Sequence, residues 1–314
     1  MSRSIRIGIS GWRYKPWRGE FYPDGLVQRR ELEFASRAVN SIEINGSFYS
    51  LQTPERYSSW AAQTPEDFVF SVKGPRYITH TRRLREIEEP LANFFASGVL
   101  NLGSKLGPIL WQFPASFKPN AERFEAFFKL LPTDFRAARE LAKQCTERLK
   151  KPGYLEIKGN HPLRHAVEIR NADGLDEDFV KLLRKYGIAL VVADTAGKWP
   201  YCEEVTSDFI YIRLHGDKEL YTSGYSADAL DHWERRIRAW VKGSQPEDAR
   251  RITPKARVPH KSRDLFCYFD NDVKVRAPFD ARALLERLDL SGSLLATPGE
   301  PYDEPEEEQK GAMQ

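Results

Sequence analysis

Short segments in which hydrophobic and polar residues alternate recur along the chain, and stretches with helical spacing separate them. Residues 208–216 show the alternation most clearly: one face carries Ile210, Ile212 and Leu214, and the other carries Tyr211, Arg213 and His215. Successive side chains of a β-strand point to opposite faces, so this strand is apolar on one face and increasingly polar on the other. Apolar contacts to surrounding helices and functional groups at the C-terminal mouth are typical of a barrel strand.

Seven further segments repeat the strand pattern. In chain order the eight predicted strands cover residues 5–12, 41–45, 68–73, 108–113, 165–170, 188–194, 208–216 and 265–270. Helical spacing predicts helices at 31–39, 54–63, 90–106, 121–131, 226–241 and 278–288. Strands that alternate with helices indicate a parallel α/β sheet, and eight such units predict a single (β/α)8 TIM-barrel-like domain.

The predicted barrel domain covers residues 1–296 and carries two basic insertions after strands 4 and 7. Residues 132–164 are too long for a barrel connection and include a basic helical part around 139–151. Residues 242–263 form the second insertion, with the basic residues Arg250, Arg251, Lys255, Arg257, Lys261 and Arg263. The acidic, proline-containing tail at 297–314 has the composition of a disordered segment.

Composition narrows the class of protein. A chain of 314 residues with 41% hydrophobic content can bury a large core, and a net charge of +3 does not by itself indicate a nucleic-acid partner. Cys145, Cys202 and Cys267 are widely spaced, which indicates neither a disulfide framework nor a zinc site and predicts a reduced setting. We see neither an apolar signal core at the N-terminus nor a membrane span, so the sequence predicts a cytoplasmic protein.

Each predicted strand ends in at least one polar side chain. The mouth of the barrel is therefore expected to hold a ring of Ser10, Trp12, Glu43, Asn45, Lys73, Gln112, Glu168, Arg170, Asp194, Arg213, His215, Tyr268 and Asp270. A charge with little solvent access costs several kcal/mol unless it is paired. Pairing within the ring could explain individual members, but a convergent ring of ionisable groups predicts a functional site.

Three basic residues of the ring suggest recognition of an anion. Lys73, Arg170 and Arg213 reach in from separate strands and could together hold a carboxylate or a phosphate. The other predicted substrate-binding residues are Asn45, Gln112, Trp12, Tyr49, His80 and Asp270.

Acid–base chemistry is assigned to four other residues. His215 titrates near neutrality and would lie beside the anion, as a general acid or base or as an orienting hydrogen-bond donor. Glu43 and Glu168 could exchange protons with it, and Asp194 would orient these groups. The distance between the two glutamates, which would separate retaining from inverting glycosidase chemistry, does not follow from the sequence.

Metal binding has weaker support than anion binding. The sequence contains neither an H-x-H nor an H-E-x-x-H motif, and we predict no metal ligands. Carboxylates alone could still hold a divalent Mg²⁺ or Mn²⁺, with Asp270, Asn271 and Asp272 as the best candidates. A turn rich in Asp and Asn is the commoner explanation of such a run.

Several motifs together resemble the YecE-like family, catalogued as domain of unknown function 72 (DUF72). They are IGISGW at 7–12 with Tyr14, Trp17 and FYP at 21–23, IEIN at 42–45 with Phe48 and Tyr49, Lys73 with ITH at 78–80, LWQFP at 110–114, Glu168 with Arg170, Asp194, RLHG at 213–216 and FDND at 269–272. The resemblance implies a TIM-barrel-like fold and supplies no reaction. The chain departs from the family pattern at 171–174, where members commonly carry a Trp, and at 273–277, where they usually carry a glycine-containing turn.

The sequence thus predicts an enzyme that acts by acid–base chemistry on a small anionic, phosphate-bearing substrate at the C-terminal mouth of the barrel. It does not distinguish a hydrolase from an isomerase or a lyase, and it does not indicate the oligomeric state. Two alternatives stay open. One is a non-catalytic protein that binds a ligand, or nucleic acid through the basic insertions. The other is a carboxylate-metal phosphodiesterase or a glycosidase.

Overall fold

The computed structural model describes residues 4–147, 149, 153, 159–256 and 261–302. Within them, the strands form one parallel sheet in the order β6-β5-β4-β3-β2-β1-β9-β8-β7. The strands are β1 (Ile5–Ser10), β2 (Ser41–Ile44), β3 (Val69–Lys73), β4 (Leu106–Gln112), β5 (His165–Glu168), β6 (Ala189–Leu190), β7 (Val192–Asp194), β8 (Phe209–Leu214) and β9 (Asp264–Phe269).

The sheet closes through the sixth predicted strand, which is divided into β6 and β7. β6 pairs with β5, β7 pairs with β8, and the amide of Val191 between them donates to the carbonyl of Val167 at 3.0 Å. The amide of Leu190 instead donates to the hydroxyl of Thr206 at 2.8 Å, and that hydroxyl donates to the carbonyl of Ile188 at 2.7 Å. Counted as one strand, β6 and β7 complete the predicted eight-stranded barrel, which is confirmed.

Helices cover the outside of the barrel. They are α1 (Glu31–Ala38), α2 (Gly46–Tyr49), α3 (Pro54–Ala62), α4 (Glu88–Ala96), α5 (Ala121–Leu130), α6 (Phe135–Ala142), α7 (Glu177–Tyr186), α8 (Ala227–Val241) and α9 (Ala277–Arg287). Side-chain caps fix several starts; the carboxylate of Asp176, for example, accepts from the amide of Phe179 at 2.9 Å. The described helices contain none that is both long and hydrophobic enough to cross a membrane.

The predicted helix at 90–106 is two segments, α4 and a 3₁₀ helix at Val99–Lys105. Gly98 separates them in a left-handed conformation with φ +104°, and a Cβ at this position would lie 2.5 Å from the Cα of Pro54. Only glycine accepts both the backbone conformation and this close approach, so the helix ends here.

The regions predicted as insertions and tail differ in structure. Among the described residues of 132–164 the helix is α6, which begins before the predicted 139–151 because Phe135 and Ala138 bury an apolar face, and which packs against α4. Residues 148, 150 and 151 of that prediction lie outside the described residues. The described part of 242–263 is irregular and lies over the buried Glu203, which accepts from the amide of Arg250 at 2.9 Å. Of the predicted tail, Tyr302 packs edge-on against Phe34, and residues 303–314 lie outside the described residues.

The barrel interior is itself a packed layer. Its apolar part combines small and bulky residues: Leu110, Ala166, Ala189, Val191, Ala193, Phe209, Tyr211, Phe266 and Tyr268. Isoleucines and phenylalanines on the opposite strand faces pack against the helices. Toward the C-terminal ends of the strands this filled interior passes into charged residues, which form the mouth.

Candidate functional site

Arg213, at the end of β8, is the centre of the mouth. Its side chain is fully buried, and its guanidinium contacts three carboxylates: Glu43 Oε1 at 2.9 Å, Glu168 Oε2 at 2.7 Å and Asp270 Oδ2 at 2.9 Å. These acids stand on the inner faces of β2 and β5 and directly after β9, where strand alternation predicts them. Arg213 therefore directs its donors to protein carboxylates, which differs from the predicted contact with a substrate anion.

Hydroxyl groups support this network from the barrel interior. Glu43 accepts hydrogen bonds from Tyr211 at 2.6 Å and from Ser10 at 2.9 Å, in addition to those from Arg213. Below it, the hydroxyl of Tyr268 lies 2.8 Å from that of Ser41 and 2.7 Å from that of Ser71. Both carboxylate oxygens of Glu43 are thus engaged, and the residue acts as a buried counterion.

The carboxylates of Glu168 and Asp270 stay ionised. Burial alone would raise the pKa of Glu168, but Arg170 and Arg213 outweigh burial and hold the pKa well below its usual range. Burial likewise opposes ionisation of Asp270, and Arg213 and His215 together bring its pKa below the ordinary value. At neutral pH each side chain is therefore an anion with a fixed cationic partner.

His215 is enclosed within the same network. Its Nδ1 lies 3.0 Å from Asp270 Oδ2 but is not aligned for a hydrogen bond, and its Nε2 lies 3.5 Å from a guanidinium nitrogen of Arg213. The ring is fully buried, with Tyr221 and Trp199 packed edge-on at 5.3 and 6.2 Å. Burial, and then the charge of Arg213, lower its pKa, so the imidazole is neutral at neutral pH.

Lys73, at the end of β3, has no such partner in the described part of the chain. Its ammonium lies 4.3 Å from the ring centroid of Phe48, and no carboxylate of the described residues lies within ion-pair distance. Burial, followed by the charge of Arg213, lowers its pKa to about 8. His80 packs edge-on against the same Phe48 ring at 5.1 Å, and burial, with Lys73 second, lowers its pKa to about 4.

Arg170 completes the cationic side of the mouth. Its Nε donates to Glu168 Oε1 at 2.6 Å, and its guanidinium carbon lies 3.7 Å from the ring centroid of Trp199. Gln112, which is paired in register with Glu168, is buried beside it. The structure therefore brings together Lys73, Arg170, Arg213, Glu43, Glu168, Asp270, His215, His80 and Gln112, which we call the mouth cluster.

Two residues outside the predicted ring belong beside the cluster: Trp199, which the sequence did not single out, and Asp272, which it offered only as part of a possible carboxylate metal site. Trp199 stacks on Arg170 from a loop after β7, where nothing in the alternation of strands marks it. Asp272 is partly buried, and burial together with the charge of Asp270 raises its pKa to about 6. Asp272 lies two residues after Asp270, beyond the end of the strand, so the alternation of strand residues does not predict where its side chain points.

Asp194 does not join the mouth cluster, and its predicted place in the ring is wrong. It shares a strand face with Leu190 and Val192, which pack against the helices. Its carboxylate accepts from the hydroxyl of Tyr225 at 3.1 Å on that outer side. Residues 188–193 are apolar on both faces, so the sequence offers no alternation that fixes the direction of Asp194.

Three other predicted residues lie beside the cluster and not in it. Gly11, with φ +79°, turns the chain after β1, and Trp12 packs edge-on against Trp60 with centroids 5.2 Å apart. With Asn45 and Tyr49, Trp12 lines a cavity of about 660 Å³ between the loop after β1, α2 and α3. We call this cavity the side cleft.

The described residues contain no group of three or more His, Cys, Asp or Glu side chains placed to hold a metal ion. In the candidate run 270–272, the side-chain Nδ2 of Asn271 donates to the carbonyl of Ser223 at 2.9 Å and to Asp280 Oδ2 at 2.8 Å. Asn271 thus holds the turn after β9 in place.

Comparison with known proteins identifies relatives of this chain. The family model "Protein of unknown function DUF72" matches residues 6–305. The UPF0759 protein YunF of Bacillus subtilis (strain 168) is 31% identical over 306 residues, which are 93% of this chain and 97% of that protein. The UPF0759 protein YecE of Escherichia coli (strain K12) is 32% identical over 115 residues, which are 37% of this chain and 39% of that protein.

Solved structures share the fold. A DUF72 family protein from Thermotoga maritima MSB8 superposes with a TM-score of 0.64 at 23% identity, over 91% of this chain and 99% of that one. One from Enterococcus faecalis V583 gives a TM-score of 0.62 at 17% identity, over 96% of this chain and 100% of that one. At these identities the likeness shows the fold alone.

Proposed function

Because the chain belongs to the DUF72 family, whose description supplies no reaction, we propose from the site itself that this protein is an enzyme acting by acid–base chemistry on a small anionic substrate at the barrel mouth. One observation carries the proposal. Lys73 is a buried ammonium that no carboxylate of the described residues pairs, although three carboxylates of the same cluster are bound by Arg213.

Binding of an anion falls to Lys73 and Arg170. Both cations influence the same two neighbours, since each lowers the pKa of His80 and each favours the ionised form of Glu168. Lys73 and Arg170 therefore both lie near His80 and Glu168. Two cations in one neighbourhood suit a group with more than one negative oxygen, and a phosphate-bearing substrate fits this best.

The proton-transfer step needs a group that titrates near the working pH. Asp272, with its pKa raised to about 6 by burial and by Asp270, meets this requirement and is only partly buried. His215 is enclosed by aromatic rings, so we assign it the role of positioning Asp270 and Arg213. Glu43 and Glu168 act as counterions that fix the cluster.

The test is thermal unfolding of the wild type, Lys73→Met and the exposed control Lys118→Met with inorganic phosphate, sugar phosphates, nucleotides and neutral sugars. A ligand at about 100 times its dissociation constant stabilises by roughly 2.7 kcal/mol, which corresponds to about 4 °C for a chain of this length, since the entropy of unfolding is about 2.1 cal/mol/K per residue. We expect phosphorylated compounds to stabilise the wild type and Lys118→Met but not Lys73→Met. Equal shifts in all three proteins, or none in the wild type, would contradict the proposal.

The same proteins separate the alternatives. Binding of a nucleic acid through the basic insertions would weaken steeply and log-linearly with salt and would survive Lys73→Met. A carboxylate-metal phosphodiesterase would lose activity on chelation and recover it with Mg²⁺ or Mn²⁺.

A further inference from the structure

We propose that the substrate of the mouth carries a second phosphate group, which binds in an arginine-lined cavity beside the mouth. The cavity has a volume of about 810 Å³ and lies between the loop after β3, the loop after β4 and the start of α5. We call it the arginine cavity. The inference rests on the proposed function, because it takes the first phosphate group to be the one bound by Lys73 and Arg170.

The charges that line the arginine cavity are mostly positive. They belong to five basic residues and one acid: Arg82, Arg83, Arg85, Lys118, Arg123 and Glu86. Arg82 is paired with Glu86, and the ammonium of Lys118 lies 2.8 Å from a carboxylate oxygen of Asp173. Among the described residues, no carboxylate lies within ion-pair distance of the remaining three, which are Arg83, Arg85 and Arg123. Three like charges around one cavity repel one another, so the cavity favours an anion.

The three arginines keep donors for a ligand. Arg83 is exposed, and its Nη2 donates to the hydroxyl of Ser116 at 2.9 Å, which holds the side chain between the two loops. The amide of Arg123 donates to Oδ1 of Asn120 at 2.9 Å, and this cap fixes the start of α5. The guanidinium groups of Arg85 and Arg123 form no hydrogen bond within the part of the chain that the structure describes. Since a guanidinium has five N–H donors, all three can bind phosphate oxygens.

The arginine cavity and the mouth share a wall. His80 packs against Phe48 in the mouth, and the next residue, Thr81, lines the cavity. Gln112 is buried in the mouth cluster, and Ser116, four positions later, lines the cavity. Consecutive Cα atoms are about 3.8 Å apart, so the wall at Thr81 is one backbone segment thick. Thr81 is exposed, and a molecule bound at the mouth reaches the arginines across it.

Acidic residues adjoin the basic ones in both segments that form the cavity. Glu88 and Glu89 lie in the first turn of α4, and Glu122 lies in the first turn of α5; all three are exposed. A nucleic-acid strand would need a positive groove that continues past these acids along its backbone. A terminal phosphate group, with a charge of about −1.5 to −2 and three acceptor oxygens, instead matches three arginines in one cavity. The arrangement therefore favours a small molecule with two phosphate groups.

The experiment is calorimetric titration of the full chain with matched monophosphates and bisphosphates. One pair is fructose 6-phosphate and fructose 1,6-bisphosphate, and the other is adenosine 5′-monophosphate and adenosine 3′,5′-bisphosphate. We expect at least one bisphosphate to bind the wild type about tenfold or more tightly than its monophosphate. In the double variant Arg83→Gln/Arg123→Gln this ratio should fall to about twofold or less, and the monophosphate should bind within about twofold of the wild type. Arg136→Gln, which removes an exposed arginine of α6 outside the cavity, is the control and should keep both affinities.

Lys73→Met separates the two proposals, because it should weaken the monophosphate and the bisphosphate alike, by about tenfold or more. If monophosphates bind but bisphosphates have no advantage, or if the advantage survives in the double variant, the second site is overturned and the proposal for the mouth stands. If no member of either pair binds the wild type, both proposals fail. A single-stranded oligonucleotide that binds more tightly than both bisphosphates, and that is weakened in the double variant, would assign the cavity to a polymer and overturn the inference.

Discussion

Arg213 balances three carboxylates inside the barrel, so its removal leaves them without their cation. Arg213→Met should destabilise the protein by about 3–5 kcal/mol, the usual cost of breaking a buried ion pair from one side. The measurement is urea unfolding of wild type and variant. Lys181→Met, which removes an exposed pair with Asp178, is the control and should leave the midpoint unchanged. A loss as small as that of the control would mean that the network contributes little.

Because of Lys73, the free energy of unfolding should depend on pH in the alkaline range. Its pKa is about 8 in the folded protein against 10.5 as the ordinary value, so between these pH values the unfolded chain binds more protons. The cost of burying the ammonium is complete below pH 8 and is relieved as the pH rises toward 10.5. Lys73→Met should therefore have a larger free energy of unfolding than the wild type, and this difference should be greater at pH 7 than at pH 9.5. An equal difference at both pH values contradicts this.

The sequence predicts which side chains face the mouth only on strands that have one apolar and one polar face. Glu43 and Arg213 each follow such an alternation, and the structure places both in the mouth cluster. Asp194 ends a strand that is apolar on both faces, and Trp12 follows a turn at Gly11, so strand periodicity could not place either. Nor could it show that Arg213 binds carboxylates of the protein, because Glu43, Glu168 and Asp270 lie 170, 45 and 57 positions away in the sequence.

At the scale of elements, the divided strand depends on a side chain. Thr206 satisfies the amide of Leu190 and the carbonyl of Ile188, both of which are buried. Thr206→Val keeps the shape of the side chain and removes both bonds, so it should cost about 1–3 kcal/mol in the free energy of unfolding.

Thr222→Val is the matched control for the divided strand. The hydroxyl of Thr222 donates to the carbonyl of Leu220 at 3.2 Å in a partly exposed loop, so its loss should change the urea midpoint little. Equal effects of the two substitutions would show that the bonds of Thr206 do not stabilise β6 and β7.

Most helices and strands were predicted to within a few residues, but irregular backbone was not. The helix α7 was also missed, although Asp176 caps it and Phe179, Val180 and Leu183 bury one of its faces. Gly98 is a local signal for the division of 90–106, but its close approach to Pro54, which lies 44 positions earlier, does not follow from periodicity. The π-helical turn at Tyr77–Thr81, which presents His80 to Phe48, has the same origin in tertiary contacts. Periodicity describes a residue and its close neighbours along the chain, and these features depend on distant ones.

At the scale of the molecule, the two ends of the barrel serve different purposes. Asp264 lies at the N-terminal end, where its carboxylate accepts from the amide of Ser4 at 2.9 Å and from Arg164 at 2.7 Å. These bonds join β1, β5 and β9 far from the mouth. Asp264→Ala should lower the free energy of unfolding by about 1–3 kcal/mol and leave anion binding at the mouth unchanged.

Asp67→Ala is the control for this end of the barrel. The carboxylate of Asp67 is 84% exposed and lies 4.0 Å from Arg6, so its loss should not affect unfolding. If Asp264→Ala instead weakened anion binding, the two ends would be coupled through the strands.

The divided strand also determines where the barrel opens locally. β6 is paired with β5 over two residues and β7 with β8 over three, whereas β8 and β9 share six. Local opening follows the least protected contacts, so backbone amides of β6 and β7 should exchange with deuterium before those of β8 and β9. Such an opening would part the wall next to β8 and admit water to Arg213, giving the buried charges of the mouth a transient route to solvent through the side of the barrel.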